Sequence, residues 1–542
     1  MMKHYMSYIQ DVIRTNWEGE AVTDYQGTVS YTYGQLAEKV TRLNIMFDLL
    51  GLRAGDKMAI CGRNSSNWGV AYLAIAAYRG VAVSILPEFT SESIHDLVTH
   101  SDAKLLFIGP WVKGRIDMDK MPQVETFISL EDLQLVRSRK EIQPEEIDWL
   151  MQERYPQGFR ATDVHFPVDN MDDVALINYT SGSTGSPKGV MVTHKNLSAN
   201  VVFGQTEIPN DPSKRIVSML PLAHMFGLMF EFLYQLAGGT HVYFITKSIT
   251  PALLMKAFAE VKPYMILTVP LVIEKIFKKS IFPVIHKPLV NLLWNTPLVN
   301  KPIRKKVYNQ LMNAFGGRLE ILIIGGAALN KDVEHCLRQI HFPYTCGYGM
   351  TECAPLLCYA HWKTYKEGSC GRVITRMELM VNSNNPHKEE GEVLVRGDGV
   401  MRGYYKNLQA TDNIFTDDGW MRTGDIGIVD NQGNVFLRGR SKNMILGASG
   451  QNIYPEEIED KLNSLDGVAE SVVVDRNGKL VALVYPEDYS DERLPQIQQL
   501  MKQILVRLNE MMPTYSKVSE IEIVGQEFEK TPKKSIKRYL YK

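Results

Sequence analysis

The sequence predicts an α/β fold closed by a small α+β module, on three observations. Short apolar runs alternate with helical patterns through most of the chain. From about residue 391 the grain changes to short strands split by tight turns. Beyond Gly439 a compact succession of helix, hairpin and helix begins. Alternating strands and helices imply parallel sheets with helices on both faces, and such sheets bind ligands beyond the carboxyl ends of their strands.

The elements follow in order. Tyr31-Thr-Tyr-Gly-Gln-Leu-Ala-Glu38 opens a helical pattern with apolar residues at 36, 40, 43, 46 and 47, ending near Gly51. Residues 57–61 read as a short buried strand, 68–79 as a helix and 81–86 as a second strand. Further short apolar strands are expected at 103–108, 216–220, 241–244, 265–269 and 319–324. Segments 391–396, 426–429 and 435–438, with the turn Asp430-Asn-Gln-Gly433, suggest an antiparallel or barrel-like piece. A helix over 455–462 has Pro455 in its first turn and acids at its N-terminus. Strands at 472–474 and 480–485 flank Arg476-Asn-Gly-Lys479, a strong hairpin signal. A helix over about 494–509 completes the module, and a basic tail follows.

Length and composition narrow the function. The 542 residues allow roughly three to four compact units. A net charge of −1 argues against a broad nucleic-acid surface, which needs a basic excess. Six cysteines without a CxxC pair point to packing in a reducing compartment rather than to a disulfide framework or metal site. The N-terminus is too polar for a signal peptide, and no apolar run reaches transmembrane length. Segment 219–239 contains His224, Glu231 and Gln235 and reads as a buried helical stretch. The basic, partly apolar segment 285–308 is open to two readings: contact with a membrane surface, or an ordinary helix pair broken by Pro297 and Pro302. The helix pair is the plainer one. A soluble, cytoplasmic protein is expected, with association at the inner face of a membrane as the option that segment leaves.

The most distinctive stretch is Tyr179-Thr-Ser-Gly-Ser-Thr-Gly-Ser-Pro-Lys188-Gly189, fed by the apolar run 174–179. Its glycines accept backbone geometries closed to other residues, so several N–H groups and hydroxyls can turn toward one anion. Polyphosphate is the natural guest. The common P-loop pattern would need glycine at 187 and a hydroxyl at 189, where the chain has Pro187 and Gly189. The plain alternative is a Ser/Gly surface turn.

Further constellations stand in register with this loop. Gly325-Gly-Ala-Ala-Leu329 follows an apolar strand, and Tyr348-Gly-Met-Thr-Glu352 comes about twenty residues later. Thr423-Gly-Asp425 and Gly439-Arg440 bracket the next strand pair. In this order and spacing they resemble the adenylate-forming superfamily of acyl-CoA synthetases, luciferases and peptide-synthetase adenylation domains, over essentially the whole chain. The resemblance implies a large N-terminal domain, 1–439, of two parallel-rich αβ subdomains plus the barrel-like piece. A small mobile C-terminal domain, 440–542, would follow. It implies use of ATP to turn a carboxylate into an acyl-adenylate, releasing pyrophosphate, and transfer of the acyl group to coenzyme A. Such a site holds two anions together and stabilises the crowded charge as attack proceeds.

The resemblance also assigns residues. Thr180, Ser181, Gly182, Ser183, Thr184 and Gly185 would wrap the β- and γ-phosphates, with Lys188 adding charge. Glu352 beside a polyphosphate calls for an intervening cation, which makes it a Mg²⁺ ligand, with Thr180 as its companion. Tyr348 would stack on adenine against the small-residue wall Gly326, Ala327 and Ala328, with Gly347, Gly349 and Thr351 completing that side. Asp425 would take the ribose hydroxyls, and Arg440 would bond the ribose. Lys442 would be the residue about which the small domain turns between half-reactions. His224, in Leu220-Pro-Leu-Ala-His-Met-Phe-Gly227, would orient the carboxylate. Taken alone, Glu352 reads as a helix N-terminal acid, Tyr348 as a packed aromatic, Asp425 as a turn cap and His224 as structural.

Thr268-Val-Pro-Leu-Val-Ile-Glu-Lys-Ile276 and Phe528-Glu-Lys-Thr-Pro532 look like stretches of the long-chain fatty acyl-CoA synthetase branch, implying a fatty acid substrate. Medium-chain and aromatic acids stay open, as do an acyl carrier protein as acceptor and the oligomeric state. One position departs from the family: its C-terminal Gly-Lys-Ile lysine, which approaches the reacting groups, is replaced by Ser535. Lys534, one residue earlier, is the substitute favoured here, with Lys533 next to it. The plain reading of Lys533, Lys534, Lys537 and Arg538 is a solvated basic tail. The departure supports a rival function, a nucleotide- or acyl-AMP-binding protein that has lost catalysis. A phosphotransferase is a third.

Overall fold

The computed structural model describes residues 2–180, 187–297, 299–446, 451–531 and 535–541. Two large sheets organise it. In the first, strands Val174–Thr180, Val81–Ile85, Lys57–Cys61, Leu105–Ile108 and Thr126–Ser129 lie side by side in parallel. Antiparallel strands close both of its edges: Lys188–Thr193 with Gly403–Tyr404 on one side, Leu135–Ser138 on the other. In the second, Tyr344–Cys346, Ile321–Ile324, Met265–Thr268, Arg215–Ser218, His241–Phe244 and Glu20–Asp24 are parallel, and Ser30–Thr32 is an antiparallel edge. These are the two parallel-rich subdomains expected. The strands read as near-continuous apolar runs because both faces are covered.

The core lies between the sheets as well as on them. Helix Ser66–Ala77 is buried on almost every side and packs against strands of both sheets. Segment 219–239 is the buried helical stretch expected, as Met225–Gly227, the π-helical turn Leu228–Leu233 and Tyr234–Ala237. Helix Tyr33–Leu50 starts on a capping box in which Thr32 and Gln35 exchange side-chain bonds.

The barrel-like piece is a four-stranded antiparallel sheet of Met377–Asn382, Gly391–Gly397, Met421–Val429 and Val435–Arg440. The C-terminal module has its own apolar core. Strands Val468–Arg476 and Lys479–Pro486 form the hairpin read from Asn477-Gly478, where both turn residues have positive φ, 56° and 78°. Helices Pro455–Asn463 and Leu494–Glu510 flank it, and Glu520–Ile523 adds a parallel third strand. Segment 285–308 falls largely in two helices, Pro288–Asn295 and Asn300–Ala314. Pro297 lies in the break between them, but Pro302 breaks nothing, because it sits in the first turn of the second helix, where an N–H has no helical acceptor. Among the described residues, no helix is long and apolar enough to cross a membrane.

Candidate active site

The Ser/Gly loop joins two paired strands, with Thr180 opposite Lys188 and Tyr179 opposite Gly189. It therefore leaves the carboxyl end of a buried parallel strand, where the sequence puts it, but returns at once through an antiparallel partner. Ser181, Gly182, Ser183, Thr184 and Gly185 lie outside the described residues. At the exit, the Lys188 ammonium stands 4.8 Å over the Tyr404 ring. The Tyr404 hydroxyl donates to Glu352 Oε1 at 3.0 Å, and burial together with Glu352 pushes that phenol's pKa up, so it stays a donor. Lys188 and Glu352, far apart in sequence, are thus joined through one tyrosine.

Glu352 sits half-buried in the single turn Thr351–Cys353, with Thr351 buried beside it. The turn is pressed against the following chain: a β-carbon on Gly349 would stand 2.2 Å from the Pro355 carbonyl oxygen. Only glycine fits there.

Tyr348 is 7% exposed, and its hydroxyl donates to Asp425 Oδ2 at 2.5 Å. Arg440 Nε donates to the other oxygen, Oδ1, at 2.8 Å, across the register pair that joins Asp425 to Arg440 on neighbouring strands. Burial raises the Asp425 pKa, against the guanidinium of Arg440 and the Tyr348 hydroxyl, which lower it; Lys442 contributes in the same lowering sense. The Asp425 amide donates to Thr423 Oγ1 at 3.0 Å, so the Thr423 hydroxyl, and not the Asp425 carboxylate, caps the backbone here. Tyr348 is thus the packed aromatic of its plain reading, whereas Asp425 lies within strand Met421–Val429 with its carboxylate on Tyr348 and Arg440 and is no turn cap.

Gly326, Ala327 and Ala328 are exposed just past strand Ile321–Ile324. The Gly325 amide donates to Thr268 O and the Gly347 amide to Ile324 O, so three adjacent strands end here together. The His224 turn abuts them: the Phe226 ring lies 3.3 Å from where a β-carbon on Gly325 would stand. His224 is half-buried, and its Nδ1 accepts the Phe226 amide at 3.3 Å.

Several residues that hold this site were not legible in the sequence as site residues. Asn178, buried two residues before Thr180, donates to Ala223 O at 2.8 Å. Asn64 accepts the Leu222 amide at 2.8 Å and donates to Leu220 O at 2.7 Å. Glu231, fully buried, accepts the Leu220 amide at 2.8 Å and the Ser218 hydroxyl at 3.1 Å, and burial pushes its pKa well up. Glu231 and Tyr404 had only a weak signal, a lone acid in an apolar run and an aromatic pair.

The tail is partly described. Thr531 N donates to Ser535 O at 2.8 Å, and Lys530 pairs antiparallel with Ile536. Lys533 and Lys534 lie outside the described residues. Lys537 pairs with Glu529 at 3.2 Å and Arg538 with Glu459, so these two are tied down within the small module rather than simply solvated.

A divalent cation fits the donor chemistry here. Glu352 and Thr180 offer a carboxylate and a hydroxyl, both hard oxygen donors. That suits Mg²⁺, which takes one or two carboxylates and completes its shell with water and substrate phosphates.

Comparison with known proteins gives consistent matches. A family model described as AMP-binding enzyme matches residues 10–405. A long-chain-fatty-acid–CoA ligase, FadD15 of Mycobacterium bovis, is 27% identical over 469 residues, covering 82% of this chain and 75% of that protein. The 4-coumarate–CoA ligase 1 of Petroselinum crispum is 29% identical over 470 residues, covering 82% and 77%. The solved structure of ATP-bound MatB from Rhodopseudomonas palustris superposes with a TM-score of 0.78 at 20% identity, covering 100% of this chain and 98% of that one.

Proposed function

The chain belongs to the family of AMP-binding enzymes, and from that membership we propose that it activates a fatty acid with ATP and passes the acyl group to coenzyme A. The acid's carboxylate oxygen attacks the α-phosphorus, and pyrophosphate leaves with the electron pair of the broken P–O bond. The thiol of coenzyme A then displaces AMP from the acyl carbon, giving the thioester. The observation that carries the reading is two runs of side chains joined by the short backbone stretch between Tyr348 and Glu352. Lys188 meets Tyr404, Tyr404 bonds Glu352, and four residues before Glu352 stands Tyr348, bonded to Asp425, which pairs with Arg440. It links the phosphate loop to the residues assigned to adenine and ribose.

In this reading Thr180 through Gly185 and Lys188 hold the departing pyrophosphate. Glu352 and Thr180 hold Mg²⁺, which when bound offsets the charge of the phosphates. Asp425 and Arg440 take the ribose, Gly326–Ala328 wall the adenine beside Tyr348, and His224 orients the carboxylate. Lys534 approaches the reacting oxygens in place of the lysine absent at Ser535. Residues 1–439 and 440–542 act as two domains turning about Arg440–Lys442 between half-reactions.

Support for a fatty acid comes from the names of relatives such as FadD15; 4-coumarate ligases match about equally well, so aromatic acids belong in the test. The test is acid-dependent exchange of labelled pyrophosphate into ATP with straight-chain acids of four to eighteen carbons and aromatic acids, then AMP release on adding CoA. No exchange with any acid sinks the reading and favours a catalytically silent nucleotide-binding protein. ADP as product would mean phosphoryl transfer, and AMP release with acyl carrier protein but not CoA would change the acceptor. Lys534→Ala should lower exchange; full exchange removes that residue's role alone.

A further inference from the structure

We infer that the helical segment 270–314 of the second subdomain is a docking surface for an anionic lipid bilayer. The first observation is charge. Residues 270–314 contain eight lysines and arginines against one acid, Glu274, in a chain whose net charge is −1. Lys278 is used internally, pairing with Glu487 at 2.8 Å, and Arg304 stacks over Trp294. Lys287, Lys301, Lys305 and Lys306 are exposed.

The second observation is apolar surface among those cations. Leu289 is 70% and Leu292 65% exposed, one turn apart on helix Pro288–Asn295, while Trp294 of the same helix is buried. Val284 and Val299 add to it at 47% and 44%. The exposure is built in. Trp294 Nε1 donates to Gln339 Oε1 at 2.5 Å, and Arg304 donates to the Trp294 carbonyl at 3.2 Å, so the neighbouring helix Asn300–Ala314 pins this one in place. Leucines held outward on a helix of a lysine-rich segment suit the boundary between headgroups and acyl chains, where apolar burial and attraction to anionic lipid act together.

Charge complementarity selects the occupant. A second copy of this chain on the same face would set cation against cation. A bilayer with anionic headgroups neutralises the lysines and takes up the leucines in one contact.

The surface also leads to the candidate site. Helix Pro270–Ile276 begins where strand Met265–Thr268 ends, and exposed Val269 lies 3.8 Å from where a β-carbon on Gly326 would stand. Leu271 and Val272, the next apolar residues along that helix, are also exposed. An apolar acid drawn from the bilayer would reach the site along this strip; that link rests on the proposed activity, whereas docking does not.

The test is co-sedimentation of the full chain with vesicles of phosphatidylcholine alone and with about a third phosphatidylglycerol, at low and high salt. The expected result is binding to the anionic vesicles only, weakened by salt. Leu289→Asp with Leu292→Asp, and separately Lys301→Glu with Lys305→Glu, should each weaken it by roughly tenfold or more. Unchanged circular dichroism and thermal midpoint show that the variants fold. The proposal is overturned by no binding to anionic vesicles, by folded variants that bind like the original, or by a dimer in sedimentation that Leu289→Asp abolishes.

Discussion

Asp425 has one carboxylate oxygen on the Tyr348 hydroxyl and the other on Arg440, so its geometry is set before any nucleotide arrives. Replacing it by asparagine keeps the shape and removes the charge. Asp425→Asn should cost about 1.5–3 kcal/mol of ATP binding, a rise in KM of roughly 10- to 150-fold, as expected for a hydrogen bond to a charged group. An unchanged KM for ATP in the exchange assay would remove Asp425 from the ribose site. Gly349 gives a second prediction. With the Pro355 carbonyl 2.2 Å from the missing β-carbon, Gly349→Ala should destabilise the fold by about 1–3 kcal/mol, read as a lower denaturant midpoint. Residues of this kind were legible because glycine, hydroxyl and acid carry their chemistry locally. Tyr404, Asn64 and Glu231 were not, because their roles come from partners brought together by folding.

At the scale of elements, local signals held where they specify a backbone. Asn477-Gly478 made the hairpin, and the Thr32/Gln35 box started its helix. Gly478→Ala, at φ 78°, should cost about 1 kcal/mol, because a β-carbon is disfavoured in the left-handed region. Selective loss of protection from hydrogen exchange in Val468–Pro486 would check it. Less legible were elements whose partners are remote. Strand Glu20–Asp24 pairs in parallel with His241–Phe244, and the short Gly403–Tyr404 caps the first sheet beside Lys188–Thr193. Pairings across such separations leave no trace in a local pattern.

At the scale of the whole molecule, the contact between the large region and the C-terminal module carries a cluster of acids. Asp460 is pushed up to about 7 by burial, then by Glu274 of the large region and by Glu459 and Glu456, with Lys331 opposing. Glu459 is likewise raised to about 7 by burial, against Arg538. Both groups hold protons more tightly in this arrangement than when unfolded. Their contribution is complete below the ordinary carboxylate range and is lost as pH rises through about 7. Thermal stability should therefore fall between about pH 4 and pH 7, and Glu274→Gln should flatten the fall. A flat profile in the unmodified protein would count against the cluster.

By itself the sequence determined the class of fold, the positions of the glycine and hydroxyl motifs, and the family they resemble. These depend on backbone conformation and short-range chemistry, which a run of a few residues specifies. Only the tertiary structure decided that Lys188 reaches Glu352 through Tyr404, that Asn178 and Asn64 tie the two sheets' loops together, and that Leu289 and Leu292 are left exposed. Those outcomes depend on which distant surfaces are packed against one another and which are left uncovered.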